Sequence, residues 1–170
     1  MTIIVYQDSK LYTDTTAFTD YSGAVAQVKW QYANLLQMAH CYAGVQEDIS
    51  YAVNRKAYPG YIPTELAVVS LYKLGEAEVL TYRENAGITY PVIVSDERPI
   101  FFGNNALCVV AKNYMNTVYT WDEPLLVAMV KAGVFPAVVE LSPVDGYHYL
   151  HKFSGSEELP DTLNLRNAAS

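Results

Sequence analysis

The chain has 170 residues, about half of them apolar, with 15 tyrosines, only two cysteines and a net charge of −7. That length suits one domain burying roughly two thirds of its unfolded surface without stapling disulfides. The sparse, scattered Lys and Arg argue against a nucleic-acid binder, and no run approaches the ~18 apolar residues of a membrane helix.

Residues 3–6 and 10–13 alternate around Gln7-Asp8-Ser9, which predicts a β-hairpin although its turn holds no glycine. Residues 24–32 and 36–43 give two further strand-like runs, the second apolar on both faces. In 46–56, Ile49, Ala52 and Val53 recur at helical spacing, and the Pro- and Gly-containing segment 58–63 stops that helix. Residues 65–72 and 78–82 read as a second hairpin across 74–77, followed by short strands at 91–94 and 100–102.

Leu107, Val110, Ala111 and Met115 share one helical face within 104–115, and Thr120-Trp121-Asp122-Glu123 is a capping-box pattern opening a helix that Gly133 ends. Residues 138–141 and 147–153 suggest a closing strand pair. The polar segment 154–170 reads as a C-terminal tail, laid along a neighbouring subunit or along its own body. This order predicts a single α+β domain over 1–153, layered as two sheets with helices.

The remaining reactive residue types point away from metals and cofactors. Cys41 and Cys108 lie in apolar runs, as buried reduced thiols do. His148 and His151, three apart on a strand, face opposite sides and share no metal, while His40 suits a core position. No phosphate-binding glycine loop is present. With residues 3–6 too short for a signal peptide, a cytoplasmic protein without cofactor, nucleic-acid partner or membrane contact is expected.

Several stretches, in order, carry a family likeness. Met1-Thr2-Ile3-Ile4-Val5-Tyr6 is similar to the Thr-Thr-Ile-Val start of the N-terminal nucleophile hydrolases, and Leu11-Tyr12-Thr13-Asp14 to the Ala-Ala-Asp closing their first hairpin. Val28-Lys29-Trp30 falls where that family keeps a lysine, and Cys41-Tyr42-Ala43-Gly44 resembles its Phe-Ala-Gly turn. Phe102-Gly103-Asn104-Asn105 resembles its Gly-Ser-Gly before a helix. The chain thus resembles proteasome β subunits and their short phage-type bacterial relatives. The resemblance implies a four-layer αββα sandwich of two antiparallel sheets, its first helix layer reduced because a strand follows Gly44 so closely.

The resemblance also implies a site. A threonine hydroxyl needs a base within reach, and in this family the base is the threonine's own α-amine, so Met1 must be removed from Thr2. Lys29 would disfavour the ammonium form of that amine, Asp14 would hold Lys29, and the Gly44 N–H would meet the developing oxyanion. Ala17 and Phe18 match the substrate pocket, and Asn104 stands where the family has a serine assisting the amine. By residue type alone, Thr2 equally suits a strand start, Asp14 a turn, Lys29 a solvated strand and Gly44 a bend.

Two functions follow as expectations. One is a threonine peptidase or amidohydrolase acting on peptide bonds. The other is a catalytically inactive family member, oligomeric and serving as a phage structural, assembly or host-interaction protein in virion or host cytoplasm. Both foresee a peptide or protein partner and a homo-oligomer.

Overall fold

The computed structural model describes residues 1–19, 23–54, 62, 64–85, 87–94, 98–135 and 137–151. The tail expected at 154–170 lies outside them. The first hairpin is β1 (Ile3–Gln7) and β2 (Lys10–Asp14). At its turn Asp8 and Ser9 take φ of 51° and 66°. Two successive left-handed residues make the type I′ turn that matches strand twist, so the hairpin closes without glycine.

After β2 come β3 (Thr16–Thr19) and β4 (Gly23–Ala26), a separate two-stranded ribbon, then β5 (Trp30–Ala33) and β6 (Met38–Gly44). The single strand expected over 24–32 is therefore split. The break is pinned on both sides, by Gln27 N–H donating to the Thr15 carbonyl at 2.8 Å and by Lys29 C=O accepting from Tyr42 N–H at 2.8 Å. Helix α1 (Gln46–Asn54) follows, then β7 (Leu66–Leu74), β8 (Ala77–Glu84), β9 (Tyr90–Pro91) and β10 (Ile100–Gly103). The chain continues through α2 (Asn105–Thr117), α3 (Leu125–Lys131), β11 (Ala137–Ser142) and β12 (Gly146–His151).

One antiparallel sheet has the order β10-β1-β2-β11-β12 and the other β5-β6-β7-β8-β9. Alternation along β1 shows how the first sheet is buried on both faces. Ile4 and Tyr6 join Trp30, Cys41, Val69 and Leu71 in the core between the sheets. Ile3 and Val5 point the other way, into a second core with Cys108, Ala111 of α2 and Leu126, Met129 of α3. Period-2 side chains on a doubly covered strand must be apolar at every position, as Ile3-Ile4-Val5 is.

The expected four-layer αββα sandwich is not what forms. Helices α2 and α3 cover the outer face of the first sheet, but the described residues place only α1 against the second, beside β6. A helix of nine residues is about 14 Å long and about 10 Å across, enough for two or three strands at their ~4.8 Å spacing and too small to layer five. Among the described residues the fold is α+β, two facing antiparallel sheets with the β3–β4 ribbon and three short helices.

The capping box expected at 120–123 also does not open its helix. Thr120 Oγ1 donates to Asp122 Oδ1 at 2.6 Å, and α3 starts later, after Pro124. The first N–H of α3, that of Leu125, is satisfied from the far end of the chain, by Gln7 Oε1 at 2.8 Å. Gln7 is buried and its Nε2 donates to Tyr119 Oη at 3.0 Å. β1 thereby fixes where α3 begins, while its other end enters the candidate site.

Candidate active site

The start of β1, the end of β2 and the segment before β5 meet at one buried cation. Lys29 is 1 % exposed, Thr2 3 % and Asp14 5 %. Lys29 Nζ donates to Asp14 Oδ2 at 2.9 Å, to Thr2 Oγ1 at 3.1 Å and to the Met1 carbonyl at 3.0 Å. An ammonium has three donors, and these partners occupy all of them. The other Asp14 oxygen, Oδ1, accepts Ile3 N–H at 3.0 Å, and Thr13 Oγ1 donates to the Ile3 carbonyl at 2.9 Å. The β1–β2 pairing, with Ile4 opposite Thr13, brings Asp14 back to the N-terminus of β1.

Two opposed effects act on Lys29. Burial lowers its pKa by penalising the charged form, and the Asp14 carboxylate raises it; burial prevails. The result is a cation held beside a threonine hydroxyl, more easily deprotonated than an exposed lysine.

Gly44 ends β6 opposite Leu66. Leu66 is committed to Asn85, just past β8, accepting its N–H at 2.6 Å and donating its own N–H to Asn85 Oδ1 at 2.8 Å. In an antiparallel ladder the bonds alternate sides, so the Gly44 N–H points away from β7. That is the side on which Tyr42 N–H meets the Lys29 carbonyl. Gly44 has φ +144°, and a Cβ there would sit 1.8 Å from the Glu65 carbonyl oxygen. Gly44→Ala should therefore destabilise the protein by at least about 2 kcal/mol, from strain and overlap together. Urea denaturation checks this, and an unchanged midpoint would contradict it.

A cavity of about 390 Å³ opens over this region, with Met1, Thr2, Gly44, Glu65, Gly103 and Asn104 among its lining residues. Gly103 has φ +102° and lets β10 approach so closely that a Cβ would lie 2.3 Å from the Thr2 carbonyl oxygen. Asn104 N–H donates to that same oxygen at 2.8 Å, while its side-chain Oδ1 caps α2 by accepting Leu107 N–H at 3.1 Å. The Asn104 side-chain oxygen thus serves the helix. On the second sheet's side, Tyr82 Oη donates to Glu84 Oε1 at 2.8 Å beside the same cavity; burial and that carboxylate push the phenol up to about 12.

The structure brings Thr2, Asp14 and Lys29 into contact and sets Gly44 and Asn104 on the cavity they border. Ala17 and Phe18 lie in β3, but the substrate pocket expected of them rests on side chains outside the described residues. Sequence reasoning missed Asp48, the Thr64–Glu65 wall, Tyr82 and Glu84. Asp48 in the first turn of a helix reads as a dipole partner, and nothing in its neighbours signals that it is buried.

Neither a family model nor a curated protein matches the chain. Among solved structures, Anbu from Hyphomicrobium sp. strain MC1 is similar with a TM-score of 0.60 at 11 % identity, over 99 % of this chain and 93 % of that one. A mutant Anbu from the same strain gives 0.56 at 11 % identity, over 99 % and 92 %. Likeness at that identity concerns the fold alone. These findings correct the family reading: membership among the proteasome β subunits and their short phage-type relatives has no family or curated match behind it, and the two similar structures named above are Anbu chains. The motifs misled because a β-branched strand start and an Ala-Gly turn are chemistry that many sheets share.

Proposed function

We propose that the chain, when it begins at Thr2, is a threonine amidohydrolase that cleaves peptide bonds. The observation that carries the reading is the buried Lys29 ammonium donating at once to the Thr2 hydroxyl and the Asp14 carboxylate. A strand-start threonine gains no more from such a neighbour than a partner for its buried hydroxyl. A nucleophile does, because a cation at 3.1 Å stabilises its developing alkoxide and disfavours protonation of the adjacent amine.

In the proposed reaction the α-amine of Thr2 takes the hydroxyl proton as Oγ1 attacks the substrate carbonyl. The Gly44 N–H faces the side where the oxyanion develops. The C–N bond breaks as the amine's proton passes to the leaving nitrogen, leaving an ester on Oγ1. Water, deprotonated by the same amine, then attacks the ester carbonyl, and the acid product leaves as Oγ1 recovers its proton.

A second reading has its own support. With Met1 attached, the Thr2 nitrogen is an amide, and the Met1 carbonyl takes one of the three Lys29 donors. In that state the fold is a binding protein without a base. Intact mass of the protein from its native source, followed by turnover of a peptide library, separates the two. The proposal expects a chain starting at Thr2 that hydrolyses peptides and loses that activity as Thr2→Ala. Uniform retention of Met1 would leave only the second reading, and turnover unchanged in Thr2→Ala would remove Thr2 as the nucleophile.

A further inference from the structure

Asp48 is 2 % exposed and lies in the first turn of α1. Its carboxylate does more than face the helix N-terminus. Oδ2 accepts the N–H of Thr64 at 3.0 Å and of Glu65 at 2.8 Å, across the gap between α1 and β7. Both of those residues line the cavity that holds Thr2. The Glu65 carbonyl in turn accepts Val45 N–H at 3.1 Å and occupies the space that a Gly44 side chain would need.

A continuous set of contacts thus runs from the Asp48 carboxylate through the Thr64–Glu65 backbone to Gly44. Two charge-assisted bonds to one oxygen fix the Thr64–Glu65 backbone just ahead of β7. The β6–β7 ladder sets the side to which the Gly44 N–H points. Its finer orientation depends on what packs where a side chain would stand, and that is the Glu65 carbonyl.

We propose that Asp48 is a positioning residue, whose carboxylate sets the Thr64–Glu65 wall and, through it, the direction of the Gly44 N–H toward the cavity. Its consequence for turnover rests on the amidohydrolase reading above. Its structural part does not.

The test uses the chain beginning at Thr2, with Asp48→Ala and Asp48→Asn, read by amide exchange and by steady-state kinetics. In Asp48→Ala, the Thr64 and Glu65 amides should lose protection, and the Gly44 amide resonance should move. kcat should fall about 10²-fold with KM little changed, as expected for a displaced oxyanion donor. In Asp48→Asn the amide oxygen still accepts both N–H groups, so the Gly44 resonance and most of kcat should return. Should the alanine variant fail to fold, Asp48→Glu, which carries the same charge one methylene farther, should move the Gly44 amide and lower kcat.

Unchanged Gly44, Thr64 and Glu65 amides in Asp48→Ala, or in Asp48→Glu where it replaces it, would overturn the proposal. So would a loss of kcat that Asp48→Asn fails to rescue. Absence of turnover in the unsubstituted chain would instead remove the amidohydrolase reading, and the amide measurements would still decide the role of Asp48.

Discussion

Asp14→Ala should destabilise the protein by about 3–5 kcal/mol, because it leaves a buried charge without its counter-ion. The Lys29–Asp14 pair spans 2.9 Å with side-chain exposures of 1 % and 7 %, so water cannot replace the lost carboxylate. Ile3 N–H would lose its acceptor in the same step. Urea denaturation at pH 7 measures the loss, and a value below about 1 kcal/mol would mean that Lys29 tolerates isolation. The pH dependence gives a second check. Burial holds the Lys29 pKa below its usual 10.5, so between the lowered native value and 10.5 the unfolded chain binds the proton better than the folded one. This lysine's effect on stability therefore becomes more favourable as pH rises through that window, and is least favourable below it. Neutral Lys29 needs no counter-ion, so the penalty of Asp14→Ala should shrink toward high pH.

Lys29→Met should lower kcat/KM of the chain beginning at Thr2 by about 10²–10⁴-fold, the range seen when a proton-transfer arrangement is dismantled. Methionine fills a similar volume, so little packing is lost, but Asp14 is left buried without its counter-ion, and kinetics are therefore read on protein shown to be folded. What disappears is the cation 3.1 Å from the Thr2 hydroxyl. Without it, the α-amine should protonate more readily and the hydroxyl lose its electrostatic help, so the fall should be in kcat rather than KM. The pH at which turnover reaches half its maximum should rise in the variant. A change smaller than about 10-fold would remove Lys29 from the proposed chemistry.

Much of the local structure was legible. The first hairpin follows from period-2 alternation, whereas the left-handed Asp8 and Ser9 that close its glycine-free turn are seen only in the structure. Helix α2 follows from its apolar stripe, while the role of Asn104 as its N-cap comes from the structure. The errors came where a distant group prevailed over a local signal. Thr120 to Glu123 has the letters of a capping box, yet the helix begins where Gln7, 118 positions earlier, supplies the acceptor to Leu125. The run 24–32 has the letters of one strand, yet Gln27 and Lys29 are held by different neighbours and the strand breaks between them. The reduced helix layer expected after Gly44 is, among the described residues, the single nine-residue helix α1, too short to cover five strands.

For the site, the sequence by itself determined which chemical groups exist: a threonine after Met1, an aspartate closing the hairpin, one lysine before a tryptophan, and glycines where side chains would collide. It also determined that Asp14 returns to the start of β1, because a tight hairpin brings its own ends together. Only the tertiary structure decided that Lys29 is dehydrated, that its three donors are shared among Asp14, Thr2 and Met1, and that Asp48 reaches the wall beside Gly44. Burial and proximity between groups far apart in the chain are consequences of two sheets packing face to face. Those two quantities set the charge state of a lysine and the environment of a threonine hydroxyl.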